Sequence, residues 1–198
     1  MAFLNVRFLR QAALAGVAVL LASAASGADA QGTAAPGDAA AAVWAPKQLH
    51  FVFQGFTAHY SCDGLRDKIL HVLTELGARP DLEVTFAGCS SPLGRPDPFP
   101  GVNIKMNVLQ PADPKDTSAQ VVGAHWRRVE LHLDRDPVWE ASDCELLEQI
   151  KERILPLFAT RNVEFASNCV PHQAFLGTRL SADLLFPDSK DAKPVASR

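Results

Sequence analysis

The chain has no C-x-x-C pair and no H-x-x-x-H, and no His/Cys cluster accompanies His50 or His132. Thioredoxin-type exchange and zinc sites of the usual spacings are excluded on that ground. Basic residues are not in excess: 19 Lys and Arg stand against 22 Asp and Glu, a formal net charge of −3. A nucleic-acid or anionic-membrane partner needs a basic surface that this balance does not supply. After residue 30 no apolar run approaches the roughly 18 residues of a membrane-spanning helix, so no membrane insertion is expected of the mature chain.

The first 30 residues are of a different kind. Arg7 and Arg10 precede the apolar run "AALAGVAVLLASAAS", and Ala28-Asp29-Ala30 precedes Gln31. This is the layout of a secretory signal peptide with its cleavage site, which predicts a periplasmic or secreted protein. The first cysteine is Cys62, so none stands at the cleavage site to carry a lipid anchor. Cys62, Cys89, Cys144 and Cys169 make an even number in an exported chain and read as two disulfides. Composition leaves all three pairings open.

An internal repeat chooses among them. "LHFVF", "SCDGLRDKILHVLTELGA", "LEVTFAGC" and "VNIKMNVLQP" are answered by "VELHL", "SDCELLEQIKERILPLFA", "NVEFASNC" and "RLSADLLFP". The order is strand, helix, strand, strand, twice over. Leu65, Ile69, Val72, Leu73 and Leu76 form one apolar stripe at helical spacing, and Leu146, Ile150, Ile154 and Leu157 form another. Ser142 followed by Glu145 is a capping-box pattern, Gly77 stops the first helix, and Pro156 kinks or shortens the second. The strands alternate: Leu49, Phe51 and Phe53 oppose His50 and Gln54; Ile104, Met106 and Val108 oppose Asn103, Lys105 and Asn107; Leu180, Ala182 and Leu184 oppose Arg179, Ser181 and Asp183. Alternation means one packed face and one wet face.

In a strand–helix–parallel strand unit the helix starts at the sheet edge to which the next strand returns. Cys62 at the helix start then meets Cys89 at the end of the returning strand, and Cys144 meets Cys169 in the same way. The predicted fold is α+β: two tandem βαββ halves, helices on one face of a mixed or antiparallel sheet, and one disulfide per half. The predicted organisation is a signal peptide (1–30), a flexible Ala/Pro-rich lead-in (31–46), a single domain (47–187) made of halves 47–111 and 124–187, and a disordered tail (188–198).

Three kinds of site are weighed. Cys62, with His59, Ser61 and Asp63 beside it, is a thiol nucleophile at a helix start if it is free; no base or oxyanion constellation accompanies it, and Ser61 and Asp63 serve equally as helix-start residues. His50 and His132 fall on the wet face at the same spacing before their helix cysteines, and adjacent placement of their strands makes them a metal pair; otherwise they are surface histidines. The polar sheet face carries Glu83, Thr85, Lys105, Glu130, Glu164, Arg179 and Asp183, either as a binding surface or as a solvated face, and an open edge can accept a peptide strand. Phe56, Tyr60, Trp126 and Trp139 lie near element ends, where they line a small pocket or fill the core.

Tyr60, Ser61, Cys62, Leu65, Lys68, Leu73, Leu76, Gly77, Gly88 and Cys89 give the first half a pattern that resembles a family of small exported bacterial proteins. In that family a Y-S-C-x-x-L segment opens a helix and Gly-Cys ends the next strand. The resemblance implies export and the Cys62–Cys89 bridge, and carries no activity or cofactor. The reading that emerges is a non-enzymatic exported module that binds a protein or small ligand. Its alternatives are a thiol-dependent enzyme using Cys62 and a metal-binding protein using His50 and His132.

Overall fold

A computed structural model describes residues 39–92, 94–113, 120–174 and 177–188. Residues 1–30, read as a signal peptide, residues 31–38, read as the first part of a lead-in, and residues 189–198, read as a disordered tail, lie outside the described residues.

Six strands and two helices follow one another as β1 (Ala39–Val52), α1 (Cys62–Glu75), β2 (Glu83–Ala87), β3 (Gly101–Pro111), β4 (Val121–His132), α2 (Cys144–Gln149), β5 (Thr160–Ala166) and β6 (Arg179–Pro187). They form one sheet in the order β2-β3-β1-β4-β6-β5, with every neighbouring pair antiparallel. The sheet is therefore antiparallel throughout, and the fold is α+β. β3 lies between β1 and β2, and β6 lies between β4 and β5. Each helix thus links two strands that run parallel with a third inserted between them.

β1 begins at Ala39, so residues 39–46, read from composition as lead-in, belong to the sheet. Alanine composition hid the strand. Within the run "AAAAVWA" Ala42 is buried and Ala39 and Ala41 are exposed, with Ala40 and Trp44 on the same face as Ala42. There Ala42, Leu109, Val122, Ala124 and Leu185 form a minor apolar cluster edged by Trp44 and Trp126.

The main core lies under the helices. α1 contributes Leu65, Ile69, Val72 and Leu73, all fully buried, against Phe51, Val102 and Ile104 of the sheet. Leu146, Leu147, Ile150 and Ile154 enter the same cluster with Leu131, Leu180 and Leu184, so one core is shared by both halves of the chain. Both edge strands are half-exposed: Phe86 and Val163 reach solvent, while Val84 and Phe165 pack only partly.

α1 is capped as its sequence dictates. The Ser61 side chain accepts the Gly64 N–H at 3.2 Å, and Gly77, at φ 87°, lets the Ala78 N–H reach the Leu73 carbonyl at 2.9 Å. α2 departs from expectation. Its regular part is only Cys144–Gln149; the chain continues as a π turn (Ile150–Ile154) and a 3₁₀ turn (Leu155–Leu157). Pro156 has no N–H to give to the preceding turn, and the helix changes pitch before it. The expected Ser142–Glu145 cap is also replaced: the Asp143 side chain accepts the Glu140 N–H at 2.8 Å, and Glu145 is engaged elsewhere.

The two disulfides are Cys62–Cys89 and Cys144–Cys169. Each ties the first residue of a helix to the chain just past the strand that returns to the same end.

Candidate functional site: an aromatic cleft between two strapped loops

The loop from β1 to α1 and the loop from β2 to β3 face each other across a cleft of about 450 Å³. Phe53, Phe56, Tyr60 and Phe99 line it with Pro96, Pro98 and Pro100. Proline supplies rigid, donor-free walls, and the rings supply apolar area.

Both walls are tied down. Asp97 holds the Pro-rich segment: its carboxylate accepts the Ser90 N–H at 2.8 Å, the Ser90 hydroxyl and the Ser91 N–H at 2.9 Å, and the Phe99 N–H at 3.1 Å. Those backbone donors pull its pKa down to about 2. The Asp97 N–H donates to the Tyr60 carbonyl at 2.9 Å, the Phe53 N–H donates to the Pro100 carbonyl at 3.0 Å, and the Gly94 N–H donates to Asp63 at 3.0 Å. The opposite wall is held by the second half of the chain. Glu145 Oε2 accepts the N–H groups of both Phe56 and Thr57 at 2.8 Å, and the Gln149 amide donates to the Gln54 carbonyl at 2.6 Å. A Cβ on Gly55 would clash with the Phe53 ring and come within 2.8 Å of the Glu145 carboxylate, so a side chain here would displace both.

Beneath the cleft lies a buried polar network. The Tyr60 hydroxyl donates to Asp143, whose other oxygen lies 2.5 Å from the Lys68 ammonium; Lys68 also donates to the Val138 carbonyl at 2.8 Å. Burial and the Asp143 charge push the Tyr60 pKa far up, so its phenol stays protonated. Tyr60 is thus a hydrogen-bond donor held in place, with no route to phenolate chemistry.

The residues singled out in the sequence divide clearly. Cys62 is bonded to Cys89 and offers no thiol. Ser61 caps α1, Asp63 holds Gly94, and His59 stands exposed at the cleft, with none of them set against a nucleophile. β1 and β4 are neighbours, yet His50 and His132 do not meet: the strands run antiparallel and pair only from Ala39↔His125 to Val43↔Val121, so the two histidines run off opposite ends of the ladder. His50 instead contacts Asn103 at 2.9 Å and His132 contacts Glu130 at 3.2 Å. Among the described residues no group of three or more His, Cys, Asp or Glu is placed to hold a metal ion.

The polar sheet face is largely paired with itself, through Lys105–Glu83 at 3.6 Å and Arg128–Glu164 at 3.0 Å. Of the edges, β2 is five residues long, and β5 carries a bulge between Arg161 and Glu164 with Asn162 at φ 51°. Both devices discourage strand addition. Among the four aromatics, Phe56 and Tyr60 line the cleft, Trp139 is buried in the core, and Trp126 lies on the far face of the sheet. Phe53, Phe99 and the prolines were missed; the signal for them was the run "PDPFP", where alternate prolines flank a phenylalanine that no strand or helix pattern requires.

Compared with known proteins, the chain matches no family model, no curated protein and no solved structure. Among the described residues no helix is long and apolar enough to cross a membrane.

Proposed function

We propose that this is an exported, non-enzymatic binding protein built from two tandem βαββ units, and that its ligand occupies the Phe- and Pro-lined cleft. One observation carries the reading. Phe56 and Phe99 are each 63% exposed, although the backbone N–H of each is anchored by a buried carboxylate. A ring left in water forgoes the burial that stabilises folds, and two such rings, on backbone tied down by carboxylates, beside a concavity of ligand-site size support a contact surface.

The two disulfides fit an oxidising compartment and so support export. The tandem origin is supported by pairs that recur at one constant spacing: Trp44 and Trp126, Leu49 and Leu131, Cys62 and Cys144, Leu65 and Leu147, Arg79 and Arg161. Arg79 lies 5.4 Å from the Trp44 ring centroid, and Arg161 lies 4.6 Å from that of Trp126. Two equivalent Arg–Trp stacks are hard to obtain by convergence of apolar pattern alone. The thiol-enzyme reading lacks a free nucleophile, and the His50/His132 metal reading lacks proximity.

N-phenyl-1-naphthylamine, a neutral fluorescent probe of apolar sites, tests the cleft. It is expected to bind with a stoichiometry near one and to lose about tenfold in affinity in Phe56→Ala/Phe99→Ala, the loss of contact area at an apolar site. Phe86→Ala, which removes an exposed ring elsewhere, is the comparison. No binding, or equal losses in the two variants, overturns the assignment.

A further inference from the structure

The cleft combines aromatic walls with carboxylates that have no cation. Asp97 lines it and is 3% exposed; Glu145 stands behind the wall formed by Gly55 and Phe56 and is nearly as buried. Neither makes an ion pair among the described residues; both are satisfied by N–H and O–H groups alone. The nearby ammonium of Lys68 is already neutralised by Asp143 at 2.5 Å. The cleft therefore sits beside two carboxylates that no Lys, Arg or His among the described residues meets at ion-pair distance, in a medium less screening than water.

The same hydrogen bonds determine which cation suits. Asp97 Oδ2 already accepts three donors, and Glu145 Oε2 accepts two. The remaining oxygens, Asp97 Oδ1 with one donor and Glu145 Oε1, belong to side chains only 3% and 8% exposed, so they offer a ligand little carboxylate surface. A lysine-like or guanidinium head would lose hydration at the aromatic walls that these carboxylates do little to replace. A head with no N–H groups loses little hydration and needs no replacement for it. Its interactions are with ring faces and with the field, and Phe53, Phe56, Tyr60 and Phe99 supply the rings.

We propose that the cleft binds a small free organic cation with a quaternary ammonium head. This rests on the cleft being the ligand site. The probe is choline, set against its neutral isostere 3,3-dimethylbutan-1-ol, with binding followed by calorimetry and by amide shifts of residues 55–60. Choline is expected to bind about tenfold more tightly than the alcohol, the scale of a desolvated cation–π contact. In Glu145→Gln, which keeps an acceptor for the Phe56 and Thr57 N–H groups and removes one charge, that ratio is expected to fall while staying above one, because the rings and Asp97 remain. Melting curves of the variant establish that it is folded. Equal affinities of the parent for choline and the alcohol overturn the proposal, as does a ratio undiminished in Glu145→Gln. If N-phenyl-1-naphthylamine binds and choline does not, the cation assignment falls while the cleft remains; if neither binds, both fall.

Discussion

The Tyr60 hydroxyl and the Asp143 carboxylate, 83 residues apart in the chain, meet in a hydrogen bond beneath the cleft. Asp143 is wholly buried and also carries the Lys68 ammonium and the Glu140 N–H. Removing one member of a buried pair leaves a charge without compensation, so Asp143→Ala is expected to cost about 3–5 kcal/mol. Tyr60→Phe removes only one donor to a carboxylate and should cost about 1.5–3 kcal/mol. Urea unfolding of the two variants gives both values, and an Asp143→Ala loss below that of Tyr60→Phe would contradict the arrangement.

Acid should loosen the cleft. The Asp97 carboxyl titrates near 2 in the folded protein, below its ordinary 3.8, because four donors favour the charged form. A depressed folded pKa stabilises the fold above the unfolded value, and that stabilisation is lost as pH falls from about 4 toward 2. Asp63, Asp81, Asp136 and Asp183 shift the same way and add to the slope. Unfolding free energy measured between pH 5 and 2 should fall less steeply in Asp97→Asn than in the parent. Parallel curves would remove Asp97 from the account.

Each disulfide closes a short loop, of sequence separation 27 for Cys62–Cys89 and 25 for Cys144–Cys169. On the chain-entropy model each contributes roughly 3 kcal/mol, against a typical total of about 5–15 kcal/mol. Reduced protein is expected to melt well below oxidised protein, and Cys62→Ala/Cys89→Ala to lie between them. Equal melting temperatures with and without reductant would show that the bridges are dispensable.

Ile69 is fully buried in a cluster that also holds Leu146, Ile150 and Ile154. Ile69→Ala should therefore cost about 2–5 kcal/mol and destabilise both halves together. Hydrogen exchange reads this out: faster exchange confined to residues 48–110, with 124–186 unchanged, would mean two independent cores.

What the sequence disclosed and what it withheld divide along local and non-local physics. The stripe Leu65–Ile69–Val72–Leu73–Leu76 and the alternation at Ile104–Met106–Val108 are local patterns, and their elements formed where the periodicity placed them. The half-cystines could be paired because the chain path alone brings a helix start to the end of the returning strand. Residues 39–46 were read as lead-in because alanine carries little strand propensity, whereas the strands that pair with them, β3 and β4, lie far along the chain. Whether His50 and His132 meet was not legible, because repeat spacing says nothing of the stagger between β1 and β4. Glu145 read as a helix cap, since its real partners, the Phe56 and Thr57 N–H groups, lie 89 and 88 residues away. The cleft was hidden for the same reason: its walls come from two loops, and each loop is held by residues from elsewhere.

That long-range strapping sets an order of events. A polypeptide is made from its N-terminus, so the 53–60 segment exists well before Asp143, Glu145 and Gln149, which fix it in place. The first half closes Cys62–Cys89 from its own residues, yet the core it shares with Leu146, Ile150 and Ile154, and the walls of the cleft, are unfinished until α2 arrives. A chain truncated before residue 143 would carry every ring of the cleft without its shape. The cleft should therefore take its shape late and all at once, as a property of the completed chain.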